Sequence, residues 1–151
     1  MVKCGVGVII KFGNKVLVGK RKGSHGEGFL SFPGGHIDDT DNSLEECCKR
    51  EVREEIGMEI DVIQDLFTTF DILSEDGSKR YLTPYMFAYY VSGGTFDGNH
   101  VEPLEPNKVD GRWFWVTLNE LAAILKLDGR KEALQWIPIN RILPLRKLMG
   151  L

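Results

Sequence analysis

Phe32-Pro-Gly-Gly-His36, a short polar loop, and then Ser43-Leu-Glu-Glu-Cys-Cys-Lys-Arg-Glu-Val-Arg-Glu-Glu-Ile-Gly57-Met58 form the stretch that decides the fold. Ser43 is placed to cap a helix, with Glu46 three residues later completing a capping box. Gly57 is a C-terminal stop, because the position after a helix favours a residue that tolerates positive φ. Between these ends Leu44, Cys48, Val52 and Ile56 recur every four residues, which is one apolar stripe on a helix. Glu51, Glu54 and Glu55 then fall within an arc of roughly 100° on its neighbouring side. Three like charges this close weaken an isolated helix. A divalent cation among them would offset that cost, since hard cations take carboxylate oxygens and keep water and phosphates as their other ligands. The competing reading of a bare Glu-rich helix is a solvated acidic face.

The complete order of residue types weighs against that bland reading. Gly35 followed by Arg50-Glu51-Val52-Arg53-Glu54-Glu55-Ile56-Gly57-Met58 resembles the signature of the Nudix hydrolases (MutT-like): a glycine, then Arg-Glu-aliphatic-x-Glu-Glu-x-Gly-aliphatic. There is one departure. The family pattern puts five residues between its glycine and a first glutamate, and seven more before the arginine. Here the loop is one residue longer, and the first acidic position falls on Asn42 or, by slippage, on Asp41. A loop accommodates the extra residue at little cost.

Length and composition set the outer bounds. With 151 residues and 42% hydrophobic content, one globular domain over residues 1–151 with a proper core is expected. The net charge of −3 argues against a protein that coats a nucleic-acid polymer. No apolar run is long enough to span a bilayer, and Gly5, Gly7 and Lys11 break up the N-terminal apolar run, so neither a membrane partner nor a signal peptide is expected. Cys4, Cys47 and Cys48 suit a reduced, cytoplasmic setting better than a disulfide framework. Cys47 and Cys48 lack the further Cys or His pair that a thiolate metal site needs, and read as small core-facing residues.

Along the chain, Val2–Lys11 and Lys15–Lys20 read as a hairpin about Gly13-Asn14, with the glycines of the first strand marking close backbone approach. Lys20-Arg21-Lys22 leads into a glycine-rich loop, Gly23–Gly28, that contains His25, and a short strand at Leu30–Phe32 delivers the chain to a Gly34-Gly35 turn. Glu59–Leu73 and Arg80–Val91 read as strands about a turn at Asp76-Gly77, with Pro84 marking a sheet edge or bulge. Ser92–Lys108, rich in Gly, Pro and acidic residues, reads as a long functional loop that holds His100. Gly111–Val116 is a last strand, Asn119 caps a helix through about Leu127, Asp128-Gly129 turns the chain, and Arg130–Trp136 opens another helical stretch. This order implies an α+β (α/β) protein, with mixed sheets sandwiched between helices, as the Nudix resemblance also implies.

The resemblance carries roles onto individual residues. Glu51 is implied as metal ligand and as orienter or base for the attacking water, Glu55 as a direct ligand, and Glu54 as a ligand or water-mediated neighbour. Arg50 is implied to hold Glu51 through a charge-assisted hydrogen bond. The Gly35 carbonyl is implied to reach the metal, and Glu105 rather than Glu102 matches a further glutamate that the family often supplies. Gly34 and Gly35 permit close approach or positive φ. His36 reads as structural or substrate-lining rather than catalytic. Arg21, with Lys20 as alternate, sits where a guanidinium can grip a phosphate, against the plain reading of a solvated strand end. Phe29, Phe67, Phe70, Tyr85, Phe87 and Trp136 are candidates for stacking on a base, most of them expected in the core.

The implied activity is a Mg2+-dependent pyrophosphohydrolase, with Mn2+ as substitute, acting on a nucleotide. Val18–Gly23, Pro33–His36, Glu45–Cys47 and Trp113–Val116 resemble the nucleoside-triphosphate-cleaving branch, which includes members acting on thiopurine and deoxyguanosine triphosphates. ADP-ribose and dinucleoside polyphosphates remain alternative substrates. A non-catalytic nucleotide- or protein-binding module is the alternative of another class, and a homodimer is left open.

Overall fold

A computed structural model describes residues 1–23, 27–127 and 136–151. The expected turn at Asp128-Gly129, most of the Arg130–Trp136 stretch, and His25 lie outside these residues. Strands β1 (Val2–Phe12) and β2 (Lys15–Lys20) form the expected antiparallel hairpin, with Phe12 opposite Lys15. They are followed by β3 (Leu30–Ser31), β4 (Gly34–His36), helix α1 (Leu44–Ile56), β5 (Met58–Ile72), β6 (Arg80–Gly93), β7 (Phe96–Asp97), β8 (His100–Val101) and β9 (Trp113–Val116). Helix α2 (Leu118–Leu127), helix α3 (Ile139–Ile142) and a 3-10 turn at Leu143–Leu145 complete the described elements.

Among the described residues the strands form one mixed sheet in the order β5-β6-β1-β2-β9-β8-β7, with β3 added to β2 and β4 to β1. The β1–β6 pair is parallel and the others are antiparallel. Strand alternation sorts the side chains onto two faces. Val6, Val8, Ile10 and Leu17 pack with Cys47, Cys48, Val52 and Ile56 of α1. Ile9, Val16 and Val18 pack on the other side with Leu121 and Leu125 of α2 and with Ile139 and Ile142 of α3. Helices therefore cover both faces, and the α+β sandwich expected from the order of elements is the observed architecture.

Local chemistry explains the helix ends. Ser43 Oγ accepts the Glu46 N–H at 3.0 Å. Glu46 reaches back one residue further than a capping box predicts, accepting the Asn42 N–H at 2.7 Å. Gly57 caps α1 at φ 73°, and its N–H donates to the Arg53 carbonyl. Helix α2 corrects the sequence reading. It starts at Leu118 rather than after Asn119, because Thr117 Oγ1 accepts the Glu120 N–H at 3.1 Å, so that Thr117 and Glu120 form the pair that Ser43 and Glu46 form in α1.

Three other expectations change. Gly34-Gly35 is not a turn but the body of β4, paired with Gly5–Gly7. Pro84 does not mark an edge, since β6 is flanked by β5 and β1. It lies opposite Thr68 of β5 and falls between Leu82 and Tyr85, where the β1–β6 ladder is interrupted. Ser92–Lys108 is only partly loop. Strand β6 runs on to Gly93, and β7 and β8 form a small hairpin that places His100 opposite Phe114.

Candidate active site

Glu51 and Glu55 sit one turn apart on the side of α1 that faces β4, and both are buried, at 6% and 5% exposure. What buries them is glycine backbone. A Cβ at Gly34 would collide with the Val6 carbonyl oxygen, and one at Gly35 would collide with the Glu51 carboxylate. With hydrogen there instead, β4 lies directly over the two glutamates. The Gly34 N–H donates to Glu55 Oε1 at 3.0 Å. The Gly35 carbonyl oxygen lies 2.8 Å from where a Gly5 Cβ would stand, so Gly5 leaves room around it.

These groups line a cleft of about 480 Å³, within the roughly 300–1,000 Å³ usual for small-molecule sites. Arg21, Lys22 and Lys108 line the same cleft, as do Tyr81, Tyr85 and Trp136. Burial pushes Glu55 up to about 8, against the opposing pull of the Gly34 hydrogen bond. Burial also raises Glu51, with Arg50 opposing. The site thus holds two carboxylates that are costly to ionise without a compensating positive charge.

Arg50 is the fastening of the site. Its Nε and one terminal nitrogen donate to both Asp41 oxygens at 2.9 and 2.8 Å, a bidentate pair. The other terminal nitrogen donates to Glu51 Oε1 at 3.1 Å and to Glu54 at 3.2–3.3 Å. The His36 carbonyl accepts a further bond at 2.9 Å. Of Asn42 and Asp41, it is Asp41 that faces the arginine, which holds its carboxyl well below the usual range. Asn42 offers its backbone to Glu46 instead.

The other sequence candidates divide. Glu54 is on the predicted arc, but its carboxylate is exposed and turned to Arg50, and it does not line the cleft. Glu105 is half-buried, bonds Lys108 at 3.3 Å, and lies near enough to add to the upward push on Glu55. Arg21 lies in the cleft with its guanidinium 4.3 Å over the Trp136 ring, and burial pulls it below its ordinary value. Lys20 points away, pairs with Asp110 at 3.8 Å, and borders a smaller groove beside Phe29. The His36 ring is exposed at the rim and stacks on Tyr81 at 6.1 Å.

Of the aromatic candidates, Phe87 is core and Phe70 is exposed. Phe67 stacks on Tyr85 at 4.9 Å, and the Tyr85 hydroxyl donates to the Trp136 carbonyl at 3.2 Å. Lys108, Asn107 and Tyr81 also line the cleft, and the sequence does not single them out. Only the proximity of Lys108 to Glu105 in an already suspect loop signals it.

Cys47 and Cys48 are buried free thiols, each pushed up to about 12 by burial. They are therefore thiols at neutral pH and poor nucleophiles. Replacing Cys4, Cys47 and Cys48 together by Ala or Ser is expected to leave kcat within about threefold while lowering stability. Loss of turnover in a folded triple variant would restore a thiol mechanism.

Among the described residues no helix is long and apolar enough to cross a membrane. Comparison with known proteins agrees with the geometry. Residues 1–145 match the NUDIX domain. An 8-oxo-dGTP diphosphatase from Proteus vulgaris is 39% identical over 82 residues, which is 54% of this chain and 69% of that protein. A MutT NUDIX hydrolase from Burkholderia pseudomallei superposes with a TM-score of 0.66 at 22% identity, over 79% of this chain and 85% of that one. A NUDIX hydrolase from Nitrosomonas europaea does so with a TM-score of 0.67 at 21% identity, over 99% and 91%. At that identity the two structures speak for the fold. The domain match, together with the relative's name, establishes that the chain belongs to the Nudix family and is a hydrolase of phosphorus-containing acid anhydrides.

Proposed function

We propose that this chain is a divalent-metal-dependent pyrophosphohydrolase that cleaves nucleoside triphosphates, purine deoxynucleotides or modified ones, to the monophosphate and pyrophosphate. The observation that carries the reading is the facing of unlike charge in one cleft: buried Glu51 and Glu55 on one wall, Arg21, Lys22 and Lys108 around it. The carboxylates suit a cation, and the cations suit the phosphates. The 8-oxo-dGTP diphosphatase relative supports a purine deoxynucleoside triphosphate as the substrate class.

Glu51, Glu55 and the Gly35 carbonyl are hard oxygen donors and fit Mg2+, or Mn2+ in its place. Among the described residues no three His, Cys, Asp or Glu side chains form a ready-made ligand group. A cation held by Glu51 and Glu55 would draw the rest of its shell from water and substrate phosphates, with Glu105 as a further carboxylate from the neighbouring loop. When bound, such a cation neutralises phosphate charge and lowers the pKa of water. The chain's own part is positional. Arg50 keeps Glu51 aimed at the cleft, where its carboxylate can orient and deprotonate a water, and the Gly34 N–H holds Glu55. Tyr85 is buried against Phe67, so Trp136 is the aromatic candidate placed to meet a base, with the Arg21 guanidinium beside it in the cleft to meet a phosphate. The three free thiols fit a reducing compartment such as the cytoplasm.

A nucleotide panel with products identified by mass tests this. Nucleoside triphosphates are expected to give the highest kcat/KM, with EDTA abolishing turnover. Arg21→Ala should raise KM for a triphosphate more than for ADP-ribose, which has no terminal phosphate to grip. If ADP-ribose or a dinucleoside polyphosphate outperforms every triphosphate, the substrate assignment is wrong while the metal chemistry stands.

A further inference from the structure

Lys108 has no place in the signature that identifies the family, yet its side chain shares the cleft with Glu51 and Glu55. Its ammonium lies 3.3 Å from Glu105 Oε1. The loop that bears it is fastened from two sides. The Leu104 N–H donates to the Glu55 carbonyl at 2.8 Å, and the Lys22 N–H donates to the Lys108 carbonyl at 3.0 Å. Val109 pairs with Arg21 in an isolated bridge. The root of the side chain is thus held against both the carboxylate wall and the Arg21 wall. The ammonium itself is half-exposed, on a flexible four-carbon stem that can swing between them.

We propose that Lys108 is the resting counterion of the Glu51–Glu55 pair and becomes a contact for a substrate phosphate once a divalent cation takes its place among the carboxylates. This rests on the metal-dependent reading above. Without a cation, the buried Glu51 and Glu55 share their cleft with the Lys108 ammonium, which rests on Glu105 at the side of it. A cation added there repels the ammonium, while an incoming polyphosphate attracts it. The residue type matters. An arginine would lock bidentately onto Glu105, whereas a lysine is a point charge that can change partners.

The two halves of the role predict effects of opposite sign. In Lys108→Met the Kd for Mn2+ alone, read from free Mn2+ by EPR without substrate, is expected to fall about fivefold, because a competing charge has gone. With saturating Mg2+, KM for a nucleoside triphosphate is expected to rise about tenfold, with kcat changed less than about threefold. Lys108→Arg keeps the charge and should leave the Mn2+ Kd within about twofold of wild type. Lys108→Gln, measured alongside, guards against a Met variant that fails to fold. Unchanged or weaker Mn2+ binding in either folded neutral variant overturns the counterion role, and an unchanged KM overturns the phosphate contact. A wild-type protein that binds no Mn2+ overturns the metal reading itself, so the two failures are told apart.

Discussion

Glu55→Gln is expected to lose at least about two orders of magnitude in kcat while gaining thermal stability in the presence of EDTA. Glu51→Gln should show the same loss of turnover. The gain in stability follows from linkage at Glu55, whose folded-state pKa is about 8 against an ordinary value of 4.5. A carboxyl with a raised folded-state pKa binds its proton more tightly in the folded protein. That contribution is fully present below about pH 4.5 and is lost as pH rises through about 8. Wild type should therefore fall progressively below Glu55→Gln between pH 5 and pH 8, by up to about 4 kcal/mol at the upper end. Glutamine can still accept the Gly34 N–H, so the comparison isolates the buried charge. Saturating Mg2+ should narrow the gap, since a ligand at about 100 times its Kd stabilises by about 2.7 kcal/mol. Melting curves in EDTA and in Mg2+ across that pH range decide it. A folded Glu55→Gln that turns over normally, or a gap that shrinks as pH rises, would show that the charge is not where the activity and the instability originate.

The second large effect separates two adjacent glycines. At Gly34 an added methyl meets the Val6 carbonyl, which belongs to the β1 backbone and cannot yield. At Gly35 it meets the Glu51 carboxylate, the far end of a side chain that can rotate away. Gly34→Ala should therefore open the β1–β4 ladder, release Glu55, and cost about 3 kcal/mol or more, or roughly 6–12 °C in Tm. Gly35→Ala should keep most of its stability yet fall at least about a hundredfold in kcat, because the displaced group is Glu51. Thermal melts and kcat measured on both variants test the pair. Equal destabilisation of the two, or an active Gly35→Ala, would contradict the placement of β4 over the glutamates.

Helix α1 is legible in the sequence because its determinants are local. Ser43, the four-residue apolar stripe and Gly57 lie within one stretch of chain, and each acts on backbone groups a few residues away. The β1–β2 hairpin is legible for the same reason. The start of α2 is not, because Asn119 is as good a cap by type as Thr117, and only the Glu120 hydrogen bonds distinguish them. Strand β4 leaves no local signal at all. Gly-Gly-His has little intrinsic preference for a strand, and what makes it one is pairing with Gly5–Gly7, close to 30 positions earlier in the chain.

Residue order alone fixes the chemistry on offer: a capped helix presenting Glu51, Glu54 and Glu55 within one arc, an arginine beside them, and glycines upstream that leave room for close approach. Spacing sets that arc, and no tertiary contact can change it. Which of those groups share a cleft is a matter of long-range packing. Burial depends on what covers each side of the helix, and here β4 and the loop bearing Leu104 and Lys108 cover Glu51 and Glu55, leaving Glu54 to solvent and to Arg50. The same packing chooses Asp41 over Asn42 for the Arg50 fork, and sets Lys108 and Arg21 around the two carboxylates. Residues far apart in sequence meet only when the sheet closes, so their partnership is written in no local pattern.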